Sequence, residues 1–212
     1  MKGKTGIIIS AIIIGLACTY FFGGRPKAGE IQKEISEKVL RFHVLANSDS
    51  EEDQALKLKV KEAVVNYLDP YLNDRELTLE ETKAVVEEQK ENVVELAERV
   101  ICENGYDYSV TAELTTDYFP VKSYGDVTLP AGEYEAFRIE IGGAEGKNWW
   151  CILYPPLCFV DASYGYVPDE SRKMLEDVLD EECYRAVTGG SAEGTVEVRF
   201  KIWDLIREKL FG

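Results

Sequence analysis

The pattern of apolar and polar residues along the chain indicates three parts: an apolar leader, a helical first half and a strand-rich second half. Residues 5–24 contain no charge, with lysines before them and Arg25 after them. A run of about 20 apolar residues can span a bilayer, and the same pattern fits a secretory signal. No Ala-x-Ala sequence follows the run, which favours an uncleaved anchor. We therefore predict a signal or membrane-anchor segment with its joint over residues 1–29, and one exported domain over residues 30–212.

The first half begins with a strand that leads into a helix. Residues 39–46 (VLRFHVLA) are rich in β-forming side chains and predict the strand, after a short polar helix or spacer over residues 30–38. Ser48 and Glu51 have the spacing of a capping box, so we expect the helix to begin there. Asp69-Pro70 is predicted to end it. Its apolar side is predicted to contain Leu56, Val60, Ala63 and Tyr67, and the remaining surface Lys57, Lys59 and Lys61.

A second capping box precedes a longer helix. Thr78 and Glu81 have the required spacing, and the helical pattern continues to about Glu103, with Gly105 after its end. One face of this helix is predicted to contain Val86, Val93, Ala97 and Val100.

The second half has the alternation of antiparallel strands, most clearly where Phe137, Ile139 and Ile141 alternate with Arg138 and Glu140. Strands are predicted over residues 108–118, 134–141, 148–154 and 196–202, and helices over residues 169–185 and 203–210. In the first of these helices Met174, Val178 and Leu175 are expected to point inward. The predicted class is α+β, with a helical first half packed on a mostly antiparallel sheet from the second half.

The charge of the chain is strongly negative. All 39 acidic residues lie at Glu30 or beyond, together with 20 of the 24 basic ones. Such a field repels phosphate backbones, which argues against nucleic-acid binding. Any partner is expected to be neutral or basic where it touches this protein.

Five cysteines limit the redox chemistry. With Cys18 in the leader, the exported domain has four, which allow one or two disulfides in three connectivities, and buried thiols are the alternative. No CxxC sequence occurs and the chain has one histidine, so no zinc site and no cofactor are predicted. The four cysteines are Cys102, Cys151, Cys158 and Cys183.

His43 is the residue that could make this protein an enzyme. It could act as a general base, which requires a nucleophile and an orienting acid within hydrogen-bond reach. The sequence selects none of the candidates, which are Ser48, Ser50, Asp49, Cys158 and Asp161. No G-x-S-x-G motif is present, and we therefore favour a structural or interface role for His43.

The acidic run after His43 could also be considered as a calcium loop. An EF-hand needs glycine at its sixth position, but Gln54 stands there if Asp49 is first. Helix capping and attraction to the helix dipole explain these acidic residues better.

A second unusual stretch, residues 148–166, is rich in aromatic side chains. Its neighbours Trp149 and Trp150 should point to opposite faces of a strand, so at most one can enter a single core. Tryptophans contribute much of the binding energy at protein interfaces. The stretch is therefore either core with a rigid Pro155-Pro156 turn or a docking surface.

Two stretches of the chain together resemble the two characteristic segments of the stage II sporulation protein R family of endospore-forming bacteria. They are RFHVLANSDSEEDQALKLKVK (residues 41–61) and NWWCILYPPLCFVD (residues 148–161). With the order of leader, helical half and strand-rich half, the resemblance covers residues 38–162.

The resemblance implies a signalling protein that is made in the forespore and exported into the space between the forespore and mother-cell membranes. There it would activate a membrane-embedded aspartic protease, which cleaves the sigma-E precursor in the mother cell. The family pattern includes no catalytic residues, so none are assigned.

We expect the two segments to form one surface that contacts the protease. This hypothesis names the contact residues His43, Asn47, Asp49, Asp53, Trp149, Trp150 and Asp161. The alternative function is a secreted hydrolase that uses His43 as general base.

Overall fold

The computed structural model describes residues 28–73, 76–158, 167 and 169–189. The elements in chain order are α1 (Ala28–Ser36), β1 (Leu40–Leu45), α2 (Glu51–Leu72), α3 (Leu79–Glu103), β2 (Val110–Phe119), β3 (Lys122–Tyr124), β4 (Val127–Leu129), β5 (Gly132–Ile141), β6 (Asn148–Tyr154), α4 (Asp169–Val178) and α5 (Glu181–Val187).

Three predicted elements lie outside the described residues: the leader up to residue 27, the strand over residues 196–202 and the helix after it. Within the described ranges, no helix is both long and apolar enough to span a bilayer.

Four strands form the main sheet in the order β2-β5-β1-β6. Strand β1 runs parallel to β5 and antiparallel to β6, and β2 runs antiparallel to β5. The α+β class is confirmed. The prediction that the sheet comes from the second half of the chain is wrong for β1, which belongs to the first half and is a central strand of the sheet. Five of the six β1 residues are buried, because both of its faces are covered. The small β3–β4 hairpin was not predicted.

Helix α2 begins two residues later than its sequence suggests. Its N-cap is Ser50, whose Oγ accepts a hydrogen bond from the backbone N–H of Asp53 at 3.1 Å. The predicted Ser48–Glu51 capping box is therefore wrong, because the Ser48 hydroxyl instead donates to Asp53 Oδ2 at 2.6 Å.

The end and the buried side of α2 also differ from the prediction. The helix continues through Pro70 to Leu72, which is buried and keeps the last turn against the core. Lys57 is buried, whereas the prediction placed it on the surface. Its ammonium group is satisfied there by a hydrogen bond that it donates to Lys147 O at 2.8 Å. The buried stripe contains Leu56, Val60, Val64, Leu68 and Leu72, whereas Ala63 and Tyr67 are only partly buried.

Helix α3 confirms its sequence signals. Both bonds of the Thr78–Glu81 capping box form, and the helix ends before Gly105, which has a φ of 85°. Val86, Val93 and Ala97 are buried as predicted, and Ile101 is buried where Val100 was expected.

The predicted helix over residues 169–185 is two helices. Asp180 separates them, because its carboxylate accepts the backbone N–H of Glu182 and of Cys183 at 2.9 Å each. Leu175 and Leu179 are buried, whereas Met174 and Val178 are only partly buried.

Candidate interaction surface around strand β6

The structure brings together the two segments that the sequence analysis singled out. Strands β1 and β6 are antiparallel neighbours, and their register places His43 opposite Trp150 and Val44 opposite Trp149. The segments are therefore adjacent, as the docking hypothesis requires, although about 110 residues separate Arg41 from its bonding partner Cys151.

The two tryptophans point to opposite faces of the sheet, as predicted, and both are partly exposed. Helices α2 and α3 pack against the face of the sheet that contains Phe42, which is called the helix-covered face below. There the Trp149 ring meets the Phe42 ring edge-on, with 5.8 Å between their centroids, and Lys61 Nζ lies 5.0 Å from the Trp149 centroid. On the opposite face, the centroid of the Trp150 ring lies 4.6 Å from that of Phe119 and 4.9 Å from that of His43. Rigid aromatic neighbours hold each indole in one orientation, which lowers the entropy cost of binding through it.

His43 is buried beneath Trp150, with its ring stacked on the indole at an interplanar angle of 5°. Its Nε2 lies 3.1 Å from Asp117 Oδ2, and Arg138 Nη1 donates to both oxygens of the same carboxylate at 3.2 Å. Burial lowers the pKa of His43 to about 4, although the Asp117 carboxylate opposes this effect by favouring the charged ring. At neutral pH, His43 is therefore an uncharged support for Trp150.

The hydrolase alternative requires a nucleophile beside this His43–Asp117 pair. Ser48 and Ser50 bond to Asp53 instead, and Cys158 is bonded to Cys151. The fifth candidate, Asp161, lies outside the described residues, and none of the contacts of Ser48, Ser50 and Cys158 involves His43.

The corner between β1 and α2 is held by an internal network. Asp53 is buried, and its Oδ2 accepts from the Ser48 hydroxyl at 2.6 Å and from Asn47 Nδ2 at 2.9 Å. These bonds, the one from Ser48 most of all, lower the pKa of Asp53. Asn47 Oδ1 also accepts the backbone N–H of Gly143 at 2.9 Å, so the corner fixes the turn that leads into β6.

The same turn approaches the corner very closely. A Cβ at Gly146 would lie 2.2 Å from the Ser48 carbonyl oxygen, so the position requires glycine. Asp49, which is exposed, accepts the backbone N–H of Lys147 at 2.7 Å. Asn47, Asp49 and Asp53 thus position the start of β6, and their contact with a partner stays a prediction.

Arg41 has no exposed surface, which the sequence did not indicate. Its Nε donates to Cys151 O and its Nη2 to the Tyr124 hydroxyl, both at 3.0 Å. Its Cζ lies 4.3 Å from the Phe119 ring centroid and 5.0 Å from that of Tyr134. Burial lowers the pKa of Arg41. This cation ties the β3–β4 hairpin to the sheet beside Trp150.

One disulfide forms among the described cysteines, between Cys151 and Cys158, with 5.5 Å between their Cα atoms. The sequence left a disulfide and free buried thiols open as alternatives, and for this pair the structure has the disulfide, which ties the turn after β6 to the strand. Cys102 is exposed and Cys183 is buried.

Three possible metal-ligand atoms lie within 4.8 Å of one another, one from each of Glu34, Asp180 and Cys183. Lys38 Nζ already lies 3.2 Å from the Asp180 carboxylate and 3.4 Å from that of Glu34, so it supplies positive charge there. Burial raises the pKa of the Cys183 thiol to about 12, whereas metals bind the thiolate. We interpret the group as the cap of α5.

Several residues of this surface had no local sequence signal. Asp117 lies in a threonine-rich strand, 74 residues from His43, and only the sheet brings the two together. Phe119, Lys122 and Arg138 likewise reach this surface only through the tertiary structure.

Comparisons with known proteins identify the class of this α+β domain. A family model described as stage II sporulation protein R matches residues 36–164. Stage II sporulation protein R of Bacillus subtilis strain 168 is 33% identical over 192 residues, which cover 85% of this chain and 81% of that protein. No solved structure matches the chain. The chain therefore belongs to the stage II sporulation protein R family, and its role lies in sporulation.

Proposed function

We propose that this protein is exported from the forespore and activates a membrane-embedded aspartic protease in the space between the forespore and mother-cell membranes. The protease then cleaves the sigma-E precursor in the mother cell. The N-terminal segment directs the chain to the membrane and, if it is retained, anchors it there. Membership in the stage II sporulation protein R family supports this function.

Activation requires that the protein bind the active arrangement of the protease more tightly than the inactive one. The observation that supports direct contact is the pair Trp149 and Trp150, both partly exposed and both held by buried rings. Truncating a tryptophan at an interface commonly costs about 2 kcal/mol or more of binding free energy. Trp150 lies beside His43 and is the residue we assign to the centre of the contact.

The experiment is co-expression of this chain, the protease and the sigma-E precursor in a cell that does not sporulate. We expect cleavage of the precursor only when this chain is present. Two results would contradict the proposal: cleavage of the precursor without this chain, and no cleavage when all three proteins are expressed and folded.

A matched pair of variants tests the assigned surface. Trp150→Ala should reduce precursor cleavage at least tenfold, whereas Tyr118→Ala should not, because Tyr118 is an exposed aromatic residue on the other edge strand. Circular dichroism melting curves check that both variants fold.

The hydrolase alternative is separated by His43→Gln. As an activator, this variant should lose binding and cleavage together, since the support beneath Trp150 changes. A hydrolase would lose activity and still bind the protease.

A further inference from the structure

Strand β6 is an edge of the sheet formed by the described residues. The carbonyl of Ile152 accepts the backbone N–H of Leu157 at 3.1 Å and of Cys158 at 3.2 Å, both in the turn after the strand. These bonds occupy both acceptor positions of the oxygen, so it points away from β1. Because backbone groups alternate along an antiparallel strand, the N–H and C=O of Trp150 also point away from β1.

This outer side is unprotected among the described residues. No described backbone group bonds to the outward N–H or C=O of Trp150. Asn148–Tyr154 contains neither a charged residue nor proline, which are the usual features that keep an edge strand from pairing. The other edge, β2, contains Glu113 and Asp117.

Two lysines flank the edge, one on each face of the sheet. Lys61 Nζ lies 5.0 Å from the Trp149 ring centroid, and Lys122 Nζ lies 5.8 Å from that of Trp150. Neither lysine forms an ion pair with a carboxylate in the part of the chain that the structure describes. The net charge of the chain is −15, but screening limits charge effects to about 8–10 Å, so distant carboxylates act weakly at these lysines. The nearby Asp117 carboxylate is paired with Arg138.

We propose that the β6 edge binds an extended segment of the partner, which pairs with it as a fifth strand of the sheet. Unpaired backbone groups in a row recognise another extended backbone, as in other cases of strand addition. The bound segment has two neighbouring acidic residues, because adjacent side chains of a strand point to opposite faces and would reach Lys61 and Lys122. The inference rests on the proposed function, which supplies the partner.

The test is amide hydrogen exchange of the full chain, alone and with the purified aspartic protease in detergent micelles. Complex formation should slow exchange at the Trp150 amide at least tenfold and leave the β2 amides unchanged. The double variant Lys61→Glu, Lys122→Glu should bind at least tenfold more weakly. Lys173→Glu, a charge reversal of the same kind at a single exposed site on α4, should bind normally.

Two outcomes would overturn the strand addition and leave the proposed function standing. One is a complex in which exchange at Trp150 is unchanged. The other is a Trp150 amide that is already protected in the isolated chain, which would mean that the chain covers its own edge. A wild-type chain that forms no complex at all would remove the proposed function, and this inference with it.

Discussion

Phe42 and Arg41 are neighbours in strand β1 and neither has exposed surface, yet they point to opposite faces of the sheet. On the helix-covered face, Phe42 stacks on Phe137 at 5.9 Å and meets Trp149. On the other face, Arg41 and His43 are buried among Phe119, Tyr124 and Tyr134. The comparison teaches that equal burial can rest on hydrocarbon packing or on a guanidinium that donates to a carbonyl and a hydroxyl and lies over aromatic rings.

The contrast extends to the two tryptophans of β6. Trp149 is an outlying member of the apolar core, whereas Trp150 rests on a polar support of His43, Asp117 and Arg138. Only the second arrangement responds to pH, because only it includes a group that titrates near neutrality when unfolded.

The largest expected effect comes from deleting one ring on each face. Phe42→Ala and Phe119→Ala should each lower the free energy of unfolding by about 3–5 kcal/mol. Only Phe119→Ala should also change the near-ultraviolet circular dichroism of Trp150, since its ring touches Trp150, His43 and Arg41. Denaturant titration measures the first quantity.

The exposed Lys173→Ala variant serves as control for both rings and should change the free energy of unfolding by less than about 0.5 kcal/mol. A Phe42→Ala variant within about 1 kcal/mol of wild type would show that the helix-covered face is not the main source of stability.

A smaller effect concerns the pH dependence of the polar face. The pKa of His43 is about 4 when folded and about 6.5 when unfolded, so below pH 6.5 the unfolded state binds more protons. Stability should therefore fall as the pH drops from 6.5 towards 4. From pH 7 to pH 5, wild type should lose about 2 kcal/mol more than His43→Gln. The groups that face the ring are Asp117, Arg138 and Asn148.

Thermal or denaturant unfolding at the two pH values gives the difference. Equal losses in wild type and His43→Gln would mean that the histidine ring keeps its ordinary pKa, and the contrast between the two faces would lose its electrostatic part.

The smallest effect concerns Asp53, a carboxylate that α2 buries on the otherwise apolar side of the sheet. Asp53→Asn should lower the free energy of unfolding by about 1–2 kcal/mol at pH 7 by weakening the bonds from Ser48 and Asn47. The pKa of Asp53 is lowered in the folded state, so this contribution is lost as the pH falls through that lowered value. The gap between variant and wild type should therefore shrink in acid.

Asp107→Asn is the matched control, because Asp107 is exposed. Denaturant titrations at pH 7 and in acid give the comparison, and a gap that stays constant between them would contradict the assigned role of Asp53.

Local patterns predicted the elements well. The structure confirms three local signals that depend on residues a few places apart. These are the capping box of Thr78 and Glu81, three of the four predicted buried positions of α3, and the alternation in β5. The first capping box failed because Ser48 and Ser50 both fit the local rule. The choice between them depends on Asp53 and on the turn at Gly143, which lies 96 residues from Asn47.

By itself, the sequence determined the α+β class, the longer helices and strands of the described residues, and the opposite directions of Trp149 and Trp150, because periodicity and capping act within a few residues. It did not predict the β3–β4 hairpin or the break between α4 and α5. The tertiary structure decided the place of β1 inside the sheet, the His43–Asp117 pair and the burial of Arg41 among aromatic rings. These contacts join residues 74 to 110 positions apart, and no local pattern carries the information about which partner a buried charge will meet.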